Sequence, residues 1–372
     1  MRLYLVAGKV TDSVTYGFLP AALRLGLEVI VLTDRPADHA NAYDIAIVDC
    51  DVTDYREIVT ALDAPDAVFS NSDHLQAATA LAAAYHDLPG KDWRAALRTK
   101  NKALMRRHLA ALDPVYTADP FAAAPPFPVV LKPREGVASE DVFLISDPVE
   151  LAARTAEIRA RRADPLVIEE YLPGPLHTLE TLDSRVLGSF RTELSPPPHF
   201  VELRMDWAPP PPETDQVLAQ LAALGVGFGA CHTEFVVHEG RARIIEVNYR
   251  IVGDHADFLM AELLGLDVFE AVLRAHLGLP AVPHQTAAVP CGTVDYVTAD
   301  RPGALTAAPG PADTTYGDVH LTYRPHRTTG DTISLTHTNR DFLGTIQATG
   351  PTRTAVDEAL HAFRTTNSWT IR

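Results

Sequence analysis

CHTEFVVHEGRARIIEVNYR, residues 231–250, reads as two short strands joined by a turn centred on Glu239 and Gly240. Side chains along a strand alternate between its faces. His232 and Glu234 therefore share one face of the first strand. Glu246, Asn248 and Arg250 share one face of the second if that strand continues to 250. A three-residue loop over 239–241 would place Glu234 directly opposite Glu246, with Cα atoms roughly 5 Å apart. Two carboxylates so placed repel each other unless a positive charge lies between them. A divalent cation does this, and Asn248 adds a neutral oxygen. An all-oxygen donor set fits Mg²⁺ held together with substrate phosphates. A two-residue loop would shift this pairing, and two solvated glutamates on an ordinary strand edge are the plain alternative for the hairpin alone.

Working upstream, Lys132 ends the apolar stretch VVLK (129–132). The small-residue loop Pro133-Arg134-Glu135-Gly136-Val137-Ala138-Ser139 follows, and then VFLI (142–145). A strand–turn–strand of this composition lets backbone N–H groups approach phosphate oxygens; a simple hairpin is the other reading. The GK[ST] ending of a Walker A loop is absent, and so is G-x-G-x-x-G. LVIEEYL (166–172) stops at Pro173-Gly174. It exposes terminal backbone groups that can pair with an adenine edge, or it is a strand end carrying two solvated carboxylates.

The flanking regions set the architecture. Apolar strands at 3–7, 28–33, 44–49 and 66–70 alternate with helical stretches at 15–27, 54–62 and 73–87, the pattern of a parallel, doubly wound unit closed by LPG at 88–90. Residues 95–111 read as one basic helix whose Arg106-Arg107 pair forms a solvated face. Pro-rich residues 114–128 form a connection. A helix at 148–161 and an antiparallel meander at 177–190 follow. PPPH (196–199) and PPPP (209–212) bracket what reads as a loop outside the core, because proline runs do not sit inside sheets. A helix at 213–224 precedes the hairpin, and one at 255–277 follows it. The remainder is Thr-rich, with strands at 293–297, 318–324 and 332–337 and a helix at 355–365.

Composition narrows the function. The chain has 372 residues, 47% of them apolar, and a net charge of −16. It is long enough for two or three units with real cores. The negative surface argues against sequence-independent nucleic-acid binding and against anionic membranes, while allowing a local basic pocket. Cys50, Cys231 and Cys291 have neither metal spacing nor an activating neighbour and fit a reducing compartment. The apolar stretch at the start is too short for a signal peptide, and there is no apolar run near 18 residues, so a cytoplasmic location is expected. Fifteen histidines are present; His232 stands out because it shares a face with Glu234. Asp34, ending VLTD, has a ribose-binding analogue in dinucleotide folds, but without a glycine fingerprint a capping or surface role is favoured.

The order and spacing of Asn101-Lys102-ALMRRHL, VVLK, the small loop, EEYLPG and the HTE…IIEVN hairpin resemble the ATP-grasp superfamily of carboxylate–amine ligases, over nearly the whole chain. Ser72-Asp73-His74 before an Ala-rich helix, PHFVE (198–202) and NYRIVGDH (248–255) resemble the subgroup that joins amino acids. The resemblance implies an α/β ATP-grasp fold. An N-terminal Rossmann-like pre-grasp domain (1–92) would precede an ATP-grasp core (93–280) with a small ATP-binding lid (128–182), and a β-rich α+β C-terminal part (281–372) would follow. It implies that Lys102 and Lys132 hold the α- and β-phosphates and that residues 135–139, with Gly136, Ala138 and Ser139, close over the γ-phosphate. Glu169 with Glu170, Tyr171 and Leu172 would form the adenine hinge. Glu234, Glu246 and Asn248 would hold Mg²⁺, with Mn²⁺ as a substitute, and Arg250 and His232 would face an acyl phosphate. The implied partners are ATP, a small carboxylate and an amine, with room for a homodimer. The implied setting is specialised metabolism, such as a siderophore, dipeptide or antibiotic precursor. Two positions depart from the pattern: Leu176 stands where relatives carry a ribose-binding Glu, and Asn-Tyr-Arg (248–250) replaces Asn-Pro-Arg. A purine-pathway or carboxylase-type enzyme and a nucleotide-binding protein without catalysis are the alternatives, the last suggested by Leu176.

Overall fold

The structure is a computed structural model that describes residues 1–122, 125–282 and 290–372. The Pro-rich connection expected over 114–128 includes residues 123–124, which lie outside the described residues.

The N-terminal strands form a four-stranded parallel sheet in the order Ala46–Asp49, Glu28–Thr33, Arg2–Val6, Ala67–Phe69. Alternation along the first strand explains its two layers. Leu3 and Leu5 pack with Phe18, Ala21 and Ala22 on one face, while Tyr4 and Val6 pack with Ile58, Leu75 and Ala82 on the other. A strand buried on both faces is the signature of a doubly wound sheet. The sequence reading missed a short helix, Pro36–Ala42.

The basic segment at 95–111 is two helices, Trp93–Lys100 and Lys102–Leu109, not one. Asn101 has extended backbone (ψ 104°), and its side chain accepts from the Leu104 N–H at 3.1 Å, capping the second helix. The break places Lys102 in the first turn of a new helix, where its side chain is turned inward and buried. Arg106 is also buried at 4% exposure, which corrects the solvated-face reading for that residue; Arg107 is exposed.

A second, antiparallel sheet has the order Thr117–Ala118, Leu166–Glu170, Val129–Pro133, Phe143–Ile145. Its core joins Val129, Leu131 and Ile168 to Leu151 and Ile158 of the helix Pro148–Arg159, which Asp147 caps.

The third sheet is antiparallel, with nine strands among the described residues. Its order is Arg241–Asn248, Ala230–His238, Leu176–Leu182, Arg185–Leu194, Glu202–Ala208, Cys291–Thr298, Phe342–Gly350, Val319–Pro325, Ala312–Tyr316. Glu202–Ala208 lies between the two proline runs read as bracketing a loop outside the core. It is instead a central strand, paired on both sides, with Met205 buried. The prolines stop the strand at its ends without interrupting its ladder. Leu176–Leu182, grouped with the lid in the sequence reading, is hydrogen-bonded into this sheet. The same sheet runs across residue 280, because Glu202–Ala208 pairs with Cys291–Thr298. The helix expected over 255–277 is two, Ala256–Leu264 and Val268–His276, broken at Gly265 (φ 56°), with Asp267 capping the second. Of the strand expected at 332–337 only Thr332–Ile333 is extended. Beyond it, residues 336–341 form a turn around the Asp341 carboxylate, which accepts from the Thr336 and His337 N–H groups.

Candidate active site

The hairpin reaches the expected facing of its glutamates by an unexpected route. Its turn has two residues, Glu239 and Gly240, both with positive φ, and His238 pairs with Arg241. That turn alone would misalign the carboxylates. A β-bulge restores them: Phe235 pairs with Ile244, Ile245 is left over, and Glu234 pairs with Glu246. Ala242 and Ile244 point into the core behind the sheet with Phe235 and Val247. Strict alternation from those positions would turn Glu246 into that core. The extra residue at 245 instead puts Ile245 and Glu246 consecutively on the cleft side.

The cleft is a cavity of about 790 Å³, and every residue singled out above for nucleotide, metal or substrate lines it except Glu135. Lys102 and Lys132 are each engaged with a carboxylate. Lys102 Nζ lies 2.8 Å from Glu246 Oε1, and Lys132 Nζ lies 2.7 Å from Glu169 Oε2. Glu169 is fully interior and is also forked by Arg106 at 2.9 and 3.0 Å. Burial raises its pKa, but the two cations outweigh this and hold it at about 2. The Glu169 side chain is thus an anchor for Lys132. Arg106 completes that anchor; the sequence quoted it without assigning it to the site.

Glu170 is tied elsewhere: its N–H donates to the Tyr116 carbonyl at 3.1 Å, and its carboxylate accepts from Arg243 at 3.0 Å. The Tyr171 N–H donates to Pro128 at 3.1 Å, while that of Leu172 has no protein acceptor among the described residues. Leu172, Leu176 and Val236 form an apolar patch with Leu194 and Ile245 against them. Leu176, the position where the resemblance leads one to expect a ribose-binding Glu, is part of this patch. Gly174 is required here: at φ 131° an added Cβ would lie 2.6 Å from the Val237 carbonyl.

His232 is buried between two acids. Its Nδ1 is 2.7 Å from Glu180 Oε1 and its Nε2 is 3.6 Å from Glu234 Oε1. Burial disfavours the imidazolium, but Glu180 and Glu234 together raise the pKa to about 10. A folded-state value above the ordinary 6.5 stabilises the fold fully below pH 6.5, and that contribution is lost as pH rises toward 10. Melting temperature is therefore expected to fall more steeply between pH 7 and 10 for the parent than for His232→Gln; parallel curves would show that His232 is not charged in the fold. Arg250 donates to the Ile251 carbonyl at 2.7 Å and has no carboxylate partner among the described residues.

Glu202 was quoted in PHFVE but not singled out. It lies in the cleft, where burial, Glu234 and Asp254 raise its pKa to about 8. His255 closes the floor, 3.0 Å from Asp12 of the N-terminal unit. Cys231 faces the core, away from Glu234, and all three cysteines are free.

Among the described residues, no three or more His, Cys, Asp or Glu side chains converge as a metal cage. The protein offers two carboxylates and one amide oxygen. This donor set fits Mg²⁺, which takes few protein ligands and fills its shell with phosphate oxygens and water.

No family model matches the chain. It is 28% identical to uncharacterized protein y4rH of Sinorhizobium fredii, over all of this chain and 84% of that protein. It is 25% identical to carnosine synthase 1 of Gallus gallus over 66% of this chain, which spans about a third (32%) of that longer protein. Among solved structures, the L-amino acid ligase of Bacillus licheniformis superposes with a TM-score of 0.80 at 18% identity, covering 100% of this chain and 98% of that one. Phosphoribosylglycinamide synthetase of Anaerococcus prevotii gives 0.73 at 15% identity, covering 100% and 99%. The biotin carboxylase domain dimer of Hydrogenobacter thermophilus 2-oxoglutarate carboxylase, in complex with MgADP and bicarbonate, gives 0.70 at 17%, covering 99% and 90%. The fold is the ATP-grasp fold, over the whole chain. None of its helices among the described residues is long and apolar enough to cross a membrane.

Proposed function

We propose that the chain is an ATP-dependent carboxylate–amine ligase acting on amino acids. The observation that carries this reading is the facing of Glu234, Glu246 and Asn248 with Lys102, Lys132 and Arg250 across one cleft of an ATP-grasp fold. The printed function of the L-amino acid ligase neighbour points to the substrate class. We place the nucleotide base on the apolar patch at Leu172, Leu176 and Ile245, within reach of the Leu172 N–H, which has no protein acceptor among the described residues. Lys102 and Lys132 neutralise its phosphates, and the loop 135–139 covers the γ-phosphate.

A carboxylate is a poor electrophile because oxide is a poor leaving group. The carboxylate oxygen attacks the γ-phosphorus, ADP leaves, and an acyl phosphate results. The amine nitrogen then attacks the acyl carbon, and inorganic phosphate departs with the C–O bond pair. Arg250 and the His232 imidazolium stabilise the two anions as they approach. Mg²⁺, held by Glu234, Glu246 and Asn248 when bound, withdraws charge from the phosphoryl oxygens. Glu202 lines the same cleft, and its carboxyl is the group we assign to take the proton released by the attacking amine. An N-terminal unit over 1–92, a cytoplasmic location and a role in specialised metabolism are part of the same proposal.

With ATP, Mg²⁺ and a pool of amino acids, the expected products are ADP, phosphate and an amide, resolved by chromatography and mass spectrometry. AMP and pyrophosphate would overturn the acyl-phosphate route.

A further inference from the structure

The phosphate loop is held from a direction that nothing in its own sequence announces. Ala138 and Ser139 both have left-handed backbone, at φ 56° and 55°, a conformation that side-chain-bearing residues keep only when their surroundings impose it. Three contacts do so. The Asn339 N–H donates to the Ala138 carbonyl at 3.1 Å, Ser139 Oγ donates to the Phe200 carbonyl at 2.8 Å, and Arg340 pairs with Glu140. A fourth contact ties these supports to each other: Asn339 Oδ1 accepts from the Glu202 N–H at 3.0 Å. Asn339 itself sits in the turn 336–341, which Asp341 organises and which joins the sheet where the Ala299 N–H donates to the Asp341 carbonyl at 2.9 Å. His337 of that turn stacks on His199, next to Phe200, with ring centroids 4.4 Å apart.

We propose that Asn339 is a positioning residue of the reaction. By its backbone it holds the loop over the γ-phosphate, and by its side chain it holds Glu202, the carboxyl placed at the amine. Loop and carboxyl then form one wall, and the acyl phosphate is shut away from water at the same moment that the amine's acceptor is set. The proposal deepens the ligase reading and rests on it for the chemistry. The mechanical coupling stands on the contacts alone. Asn339→Ala removes the acceptor for the Glu202 N–H and keeps the backbone contact to Ala138, so it cuts the link between 200–202 and the turn that carries the loop. Asn339→Asp keeps an oxygen in place.

Two measurements test this. First, hydrogen exchange is followed at 200–203, which includes the Glu202 N–H that Asn339 Oδ1 accepts, with Mg²⁺ and a non-hydrolysable ATP analogue bound. Exchange is expected to be faster in Asn339→Ala by about threefold or more, and close to the parent in Asn339→Asp. Second, ADP released is compared with amide formed from a mixed amino-acid pool. The parent should give nearly one ADP per amide, Asn339→Ala a ratio raised about threefold or more by water attack, and Asn339→Asp a ratio near the parent's. A residue that merely supports the fold would lower both products together and leave the ratio unchanged. Parent-like exchange and ratio in Asn339→Ala would overturn the proposal. If the parent itself makes no amide and no ADP, the ligase reading fails, and the exchange measurement alone decides whether the Asn339 side chain holds Glu202 to the turn.

Discussion

Glu246→Gln is expected to lower turnover by on the order of 10²-fold or more while the protein melts as the parent does. The fold should tolerate the change because the glutamine keeps the volume and one oxygen, and Lys102 Nζ, 2.8 Å from Glu246 Oε1, retains an acceptor. The chemistry should not tolerate it. Glu246 faces Glu234 across the hairpin, and the pair supplies two of the three oxygens assigned to the cation. Removing one charge weakens the ion where the phosphoryl group accumulates negative charge and leaves Lys102 less well neutralised before ATP arrives. Steady-state ADP release at increasing Mg²⁺, paired with a melting curve, checks this. Near-normal turnover at saturating Mg²⁺ would show that Glu246 is not a ligand.

The second large effect is expected at Arg250. One guanidinium nitrogen is fixed on the Ile251 carbonyl, and the residue lines the cleft with no carboxylate partner among the described residues. That is the arrangement of a fork waiting for an anion. Lysine would keep the charge but neither the fork nor the Ile251 tether. Arg250→Lys should leave melting temperature and nucleotide affinity near the parent values and lower kcat/KM for the carboxylate by on the order of 10²-fold. If the variant instead melts early and turns over normally, Arg250 belongs to the scaffold.

The sequence carried the elements whose cause is local. Apolar runs buried on both faces made the N-terminal sheet legible, and the His232, Glu234, Glu246 and Asn248 pattern was legible because strand alternation is a rule of two. Where cause is non-local, reading fell short. From sequence alone the strand Glu202–Ala208 reads as part of a loop because its prolines lie at its ends, and only the two neighbouring strands reveal that it is central. Arg106 looked solvated because its helix face is decided by Glu169, 63 residues away. The break at Asn101 was hidden in a segment of good helix formers, since one capping side chain outweighs propensity there. Asn339 had no sequence signal at all: its partners come from residues 138 and 202.

Two hairpins of identical length can bring Glu234 against Glu246: one with a wide turn and a regular ladder, the other with a tight turn and a bulge at Ile245. They are not equivalent enzymes. In the regular version Ala242 and Ile244 would look into the cleft, and the layer behind the sheet would lose its filling. In the version this chain adopts, one strand serves two apolar clients at once, Ile244 for the interior and Ile245 for the patch assigned to the nucleotide base. Counting residues between motif positions cannot separate the two, so a spacing-based alignment of such hairpins assigns the base-contacting side chain to the wrong partner whenever turn width and bulge have been traded against each other.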